Sequence, residues 1–74
     1  MKIRGTLLDE TGTPLVGGNI VIPGTSTGTS TDLKGEFQLE IPVDTKLLSC
    51  SFIGYIPLEV VPEKKMTITL QPDV

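Results

Sequence analysis

Asp32-Leu33-Lys34-Gly35, set between the small-residue tract 24–31 and the alternating run Glu36-Phe37-Gln38-Leu39-Glu40-Ile41, constrains the fold more than any other stretch of the chain. The Asp side chain can accept hydrogen bonds from the backbone two residues on, and Gly35 can take the positive φ that a type I turn followed by a G1 bulge requires. Residues 24–41 therefore read as one β-hairpin whose register is set by that glycine. Past the turn, Phe37, Leu39 and Ile41 share one face and Glu36, Gln38 and Glu40 the other, which is the period of a half-buried strand. Burying each of the three apolar side chains stabilises the fold by about 1.5–3 kcal/mol before chain entropy is subtracted.

A chain of 74 residues holds one domain, here spanning 1–74, near the size at which a single core only just offsets the entropy of ordering the backbone. Two Phe, one Tyr and no Trp leave the core to Ile, Leu and Val, which favour strands. Eight Gly and six Pro punctuate the apolar runs at short intervals, the spacing of an all-β protein with little or no helix. Strands are expected at about 2–8, 18–23, 28–32, 36–41, 46–53, 55–61 and 65–71. Seven short antiparallel strands suggest two sheets packed face to face as a Greek-key β-sandwich.

Within that frame Ile3 and Leu7 point inward, and Gly5 between them leaves room for a neighbouring chain. Asp9-Glu10-Thr11-Gly12 repeats the chemistry of the later turn, an Asp followed three residues on by a Gly. The first half of the uncharged tract 24–31 is expected as a loop and its second half as a strand with a solvent-facing ladder of Thr side chains. Segment 46–53 is the most continuous apolar run and belongs in the middle of a sheet. Alternation buries Leu48, Cys50 and Phe52; the opposite register would bury Leu47 and Ile53. Pro57 marks the next strand as an edge strand or the start of one. The Tyr55 ring is expected on the core rim with its hydroxyl on a backbone group. Met66, Ile68 and Leu70 point inward, and residues 72–74 run out of the fold.

What the chain lacks bounds its chemistry. With no His, neither Ser-His-Asp nor Cys-His nucleophile arrangements nor the usual zinc sites can be built. The single Cys50 cannot form an internal disulfide and, with no His to activate it, reads as a buried inert thiol. The Gly-rich tract is not a phosphate loop, since no Lys follows its second Gly and no helix pattern starts there. Asp32 and its neighbours lack the dense Asp and Asn spacing of a calcium cage. Glu36, Gln38 and Glu40 read as a solvated face, and a pair of glycosidase carboxylates would need a cleft that so small a domain can hardly enclose. No catalytic, cofactor-binding or metal-ligating residue is expected. A net charge of −3 with six scattered Lys and Arg argues against nucleic acid and anionic membrane surfaces. No apolar run approaches the roughly 20 residues of a membrane span, and Met1-Lys2 leads straight into a strand pattern rather than a signal peptide.

Three groups of residues carry a family resemblance. They are Gly5 with Asp9-x-x-Gly12-x-Pro14-Leu15-x-Gly17, then Gly24-Thr25-x-x-Gly28-Thr29-x-Thr31-Asp32-x-x-Gly35-x-Phe37-x-Leu39-x-Ile41-Pro42, and Leu48-x-x-Ser51-Phe52-Ile53-Gly54-Tyr55. In this order and spacing they resemble the carboxypeptidase-regulatory-like domain family, whose transthyretin-like (prealbumin-like) seven-stranded β-sandwich agrees with the strand count above. The version here is most similar to the N-terminal extension of starch-utilisation-type TonB-dependent outer-membrane receptors. That likeness implies a non-enzymatic accessory domain on the periplasmic side of the outer membrane, spacing or presenting a TonB-binding segment. The partners it implies are the remainder of the receptor, TonB or other periplasmic proteins. The competing expectation is a structural or adhesive sandwich on another secreted or cell-surface protein such as a peptidase. Transthyretin-like purine-pathway hydrolases depend on His, which this chain lacks, and a sugar platform would need more aromatics than Phe37, Phe52 and Tyr55.

Overall fold

The computed structural model describes residues 1–73 and contains strands only: β1 (Lys2–Leu8), β2 (Asn19–Val21), β3 (Gly28–Ser30), β4 (Glu36–Glu40), β5 (Leu48–Ser51), β6 (Leu58–Val60) and β7 (Lys65–Thr69). They form a three-stranded sheet ordered β4-β1-β7 and a four-stranded sheet ordered β3-β2-β5-β6. The inner faces meet as the alternation requires. Ile3, Leu7, Phe37 and Ile68 from the first sheet and Ile20, Leu48 and Cys50 from the second are buried, with Leu15, Ile41 and Leu70 closing the core. Leu39, Phe52 and Met66 pack against it partly buried. Leu48 and Cys50 have no exposed surface whereas Ile53 is 94% exposed, so β5 takes the first of its two possible registers.

β1 is the central strand of its sheet and carries a glycine where a side chain would be buried. Gly5 lies opposite Phe37 in the β1–β4 register, and the Phe37 ring covers it. A Cβ on Gly5 would sit 2.7 Å from that ring and 2.7 Å from the Met66 carbonyl oxygen. Both neighbouring strands therefore close on the space that the missing side chain leaves, as an aromatic on one strand shields a glycine on the next.

Two expectations about pairing are corrected. β1 and β7 run parallel, Arg4 opposite Lys65 through Leu8 opposite Thr69, so the strands are not all antiparallel. Residues 24–41 do not form one hairpin, because β3 and β4 belong to different sheets. The turn itself is as expected: Gly35 N–H donates to the Asp32 carbonyl at 2.9 Å, Asp32 N–H donates to the Glu36 carbonyl at 2.9 Å, and Gly35 has φ +73°. Thr31, just before it, separates the strands. Its hydroxyl is buried, donates to the Leu15 carbonyl at 2.5 Å and accepts from Gly18 N–H at 2.8 Å, while Thr31 N–H donates to the Gly18 carbonyl. Residue 31 is thus tied to segment 15–18 rather than to β4, and the expected ladder of solvent-facing threonines fails at Thr31.

Boundaries also differ for a physical reason. The strand expected over 55–61 is split at Pro57, which has no N–H to donate. Before it, Ile56 N–H donates to the Gln71 carbonyl and Asp73 N–H to the Gly54 carbonyl, placing 54–56 alongside 71–73. After it, β6 pairs with β5 in the other sheet as an edge strand. Pro72 and Asp73 are therefore held against residues 54–55 rather than running free; Val74 lies outside the described residues.

Candidate functional site

Cys50, Tyr55, Asp9 and Asp32 each have a structural occupation. Cys50 is fully buried in β5, and burial pushes its thiol up to about 11, so thiolate is scarce near neutral pH. Tyr55 stacks edge to face on Phe52, ring centroids 5.8 Å apart and planes at 62°, on the rim of the core. Its hydroxyl donates to Glu10 Oε1 at 3.3 Å, a carboxylate from the first turn instead of the backbone group expected. Desolvation and the Glu10 carboxylate both raise the phenol, which keeps it a neutral donor.

The two Asp-x-x-Gly turns are built alike. Asp9 Oδ1 accepts from Thr11 N–H at 2.8 Å and Thr13 N–H at 2.9 Å; Asp32 Oδ1 accepts from Lys34 and Glu36 N–H, each at 2.9 Å. Gly12 and Gly35 close the turns with φ +87° and +73°. The Thr11 hydroxyl, which also donates to Asp9 Oδ1, is the main cause holding the Asp9 carboxyl below its usual value, and the Glu36 N–H is the main cause for Asp32. Both carboxylates are committed to shaping backbone. Among the described residues no group of three Asp, Glu or Cys comes together to hold a metal ion.

Two depressions mark the surface of the described residues. A shallow depression of about 320 Å³ lies on the outer face of the three-stranded sheet, with Arg4, Glu36, Gln38 and Lys65 around it. Its walls are side chains standing on a pleated sheet, so it is open to water, and its charges of both signs suit polar contact with a macromolecule more than enclosure of a substrate. A smaller, mainly apolar notch of about 130 Å³ lies where the chain crosses between the sheets, lined by Ile56, Pro57, Leu58, Thr69, Leu70 and Gln71. No local pattern of residues marks the notch. It arises from segment 54–56 lying beside 71–73 while β6 joins the other sheet, a pairing between distant residues.

The relatives of the chain are receptor proteins. The chain is 41% identical over 73 residues to the TonB-dependent receptor SusC of Bacteroides thetaiotaomicron, covering 99% of this chain and 7% of that protein. It is 30% identical over 75 residues to the TonB-dependent receptor P3 of Formosa agariphila, covering 97% of this chain and 8% of that one. The chain thus spans less than a tenth of the length of these curated relatives. The sequence model of the CarboxypepD_reg-like domain matches residues 3–73, almost the whole sandwich. The chain belongs to the CarboxypepD_reg-like domain family.

Proposed function

We propose that this chain is a non-enzymatic accessory domain of a TonB-dependent outer-membrane nutrient receptor, standing on the periplasmic side, where it spaces or presents the TonB-binding segment and makes protein contacts. The observation that carries this reading is the 41% identity to SusC across 99% of the chain, against 7% of the receptor. The matched part is one small module of a much larger receptor. Its own side chains support a contact role: the thiol is buried, the turn carboxylates hold backbone, and the surface depressions are shallow. The geometry also suits a spacer. Residues 71–73 are tied to 54–56 by backbone hydrogen bonds, so a segment following them would leave the sandwich from a defined point.

The test is deletion of residues 1–74 from the full receptor, with uptake of the imported nutrient and receptor abundance measured together. Reduced uptake at unchanged abundance is the expected result. Unchanged uptake at unchanged abundance would count against a transport role and favour a purely structural module.

A further inference from the structure

The open edge of β7 has the features of a strand-docking site. β7 pairs only with β1, and on its other side the ladder stops short. The Lys64 carbonyl accepts from Arg4 N–H and Leu70 N–H donates to the Leu8 carbonyl, so the even-numbered residues turn their backbone groups toward β1. By alternation Lys65, Thr67, Thr69 and Gln71 turn theirs outward. Ile56 N–H takes the Gln71 carbonyl, and below that bond the chain crosses at Pro57 into the other sheet. The N–H and C=O groups of Lys65, Thr67 and Thr69 are left as an unfinished ladder. Natural sheets usually cover or blunt such an edge.

Two further features define what would complete it. The crossing opens the apolar notch beside the ladder, and Ile56 and Leu58 are 50% and 40% exposed there. At the other end of β7 stand Lys64 and Lys65, with Arg4 opposite Lys65 in the register. These are three of the six cations of a chain with net charge −3, and among the described residues none of them has a carboxylate within 4 Å. β4, which carries Glu36 and Glu40, is separated from β7 by β1, and Glu36 shares the outer-face depression with Arg4 and Lys65 without coming within 4 Å of either.

We infer that the β7 edge binds an extended, acidic segment of a partner protein as an added strand, its apolar side chains filling the notch and its carboxylates facing Lys64, Lys65 and Arg4. Main-chain bonds to Lys65, Thr67 and Thr69 give affinity, and the alternation of apolar and acidic side chains gives selectivity. A second copy of this chain fits less well. A five-residue edge offers only a few main-chain bonds to hold a symmetric pair, it brings no carboxylate to Lys64, Lys65 and Arg4, and two copies of net charge −3 repel.

The probe is an end-blocked peptide, Thr-Val-Thr-Val-Glu-Val-Glu, titrated up to about 1 mM into the isotopically labelled 74-residue chain and followed by amide NMR and hydrogen exchange. The expected result is shifts and slowed exchange at the amides of Lys65, Thr67 and Thr69. Replacing the peptide's Glu by Lys, or introducing Lys64→Glu with Lys65→Glu in the protein, should weaken binding about tenfold or more, and rising salt should weaken it too. Both substitutions are at exposed positions, and an unchanged amide spectrum of the free variant checks its fold. Absence of binding, shifts confined to β3 or β4, equal affinity for the Lys peptide, or pairing of two copies through β7 would each overturn the inference.

Discussion

Two glycines with nearly the same backbone angle should respond very differently to a methyl group. At Gly12, φ +87°, an added Cβ meets nothing within 4 Å, so Gly12→Ala carries only the cost of a left-handed alanine, about 1–2 kcal/mol. At Gly35, φ +73°, the same atom would lie 2.7 Å from Pro14 Cβ and 2.9 Å from the Leu7 carbonyl oxygen. Gly35→Ala should therefore lose more, about 3 kcal/mol or above, as a lower urea midpoint at unchanged slope. The aspartates that open these turns give a second prediction. Both have folded values below the ordinary 3.8, so the stability they contribute is present above pH 3.8 and is lost as pH falls through their lower folded values. Asp9→Asn with Asp32→Asn keeps an acceptor oxygen at each turn and removes the charge. The doubly substituted chain should show a flatter loss of melting temperature with acid, and a curve parallel to that of the unsubstituted chain would refute the assignment. These turns were legible in the sequence because their chemistry is local. Thr31 was not: its partners, Leu15 and Gly18, are 16 and 13 residues away, and nothing in a run of Thr and Ser marks which hydroxyl is buried.

At the scale of single strands, alternation proved a sound guide wherever one face is apolar and the other polar. β4 buries Phe37 and exposes Glu36, Gln38 and Glu40, and β7 buries Ile68 between exposed Thr67 and Thr69. β5 was ambiguous because Leu47 and Leu48 are both apolar, and the structure buries Leu48 fully while leaving Leu47 40% exposed. Leu48→Ala should accordingly cost about 2–5 kcal/mol and Leu47→Ala less than about 1 kcal/mol, compared by urea midpoints. Similar losses for the two would mean the other register. Strand pairing was less readable than strand existence. Neither the parallel β1–β7 pair nor the crossing at Pro57 leaves a short-range signature, since each depends on residues far apart in the chain. The turn 32–35 looked like half of a hairpin because its four residues are hairpin chemistry, yet the strands it joins lie in different sheets.

For the molecule as a whole, Cys50 is a built-in reporter. It lies in the middle of the core with no exposed surface, and its thiol is shifted to about 11, so neither access nor ionisation favours reaction in the folded state. Alkylation at pH 8 should be slow in buffer and accelerate with urea in step with the global unfolding curve. Rapid labelling in buffer would mean that β5 opens on its own. The candidate contact surface was the least legible part, because it is made by what the strands leave unpaired rather than by any motif.

The parallel alignment of β1 with β7 also decides how the domain answers force. A stretched molecule would be gripped at the start of one of these strands and at the finish of the other, and because they run the same way side by side, the load slides them past each other along their length. Rungs loaded together in this way must yield nearly at once, where a zipper would open one by one. Pulled from its two ends, the domain should withstand more force than a sandwich whose terminal strands unzip, and force spectroscopy of the 74-residue chain reads that difference.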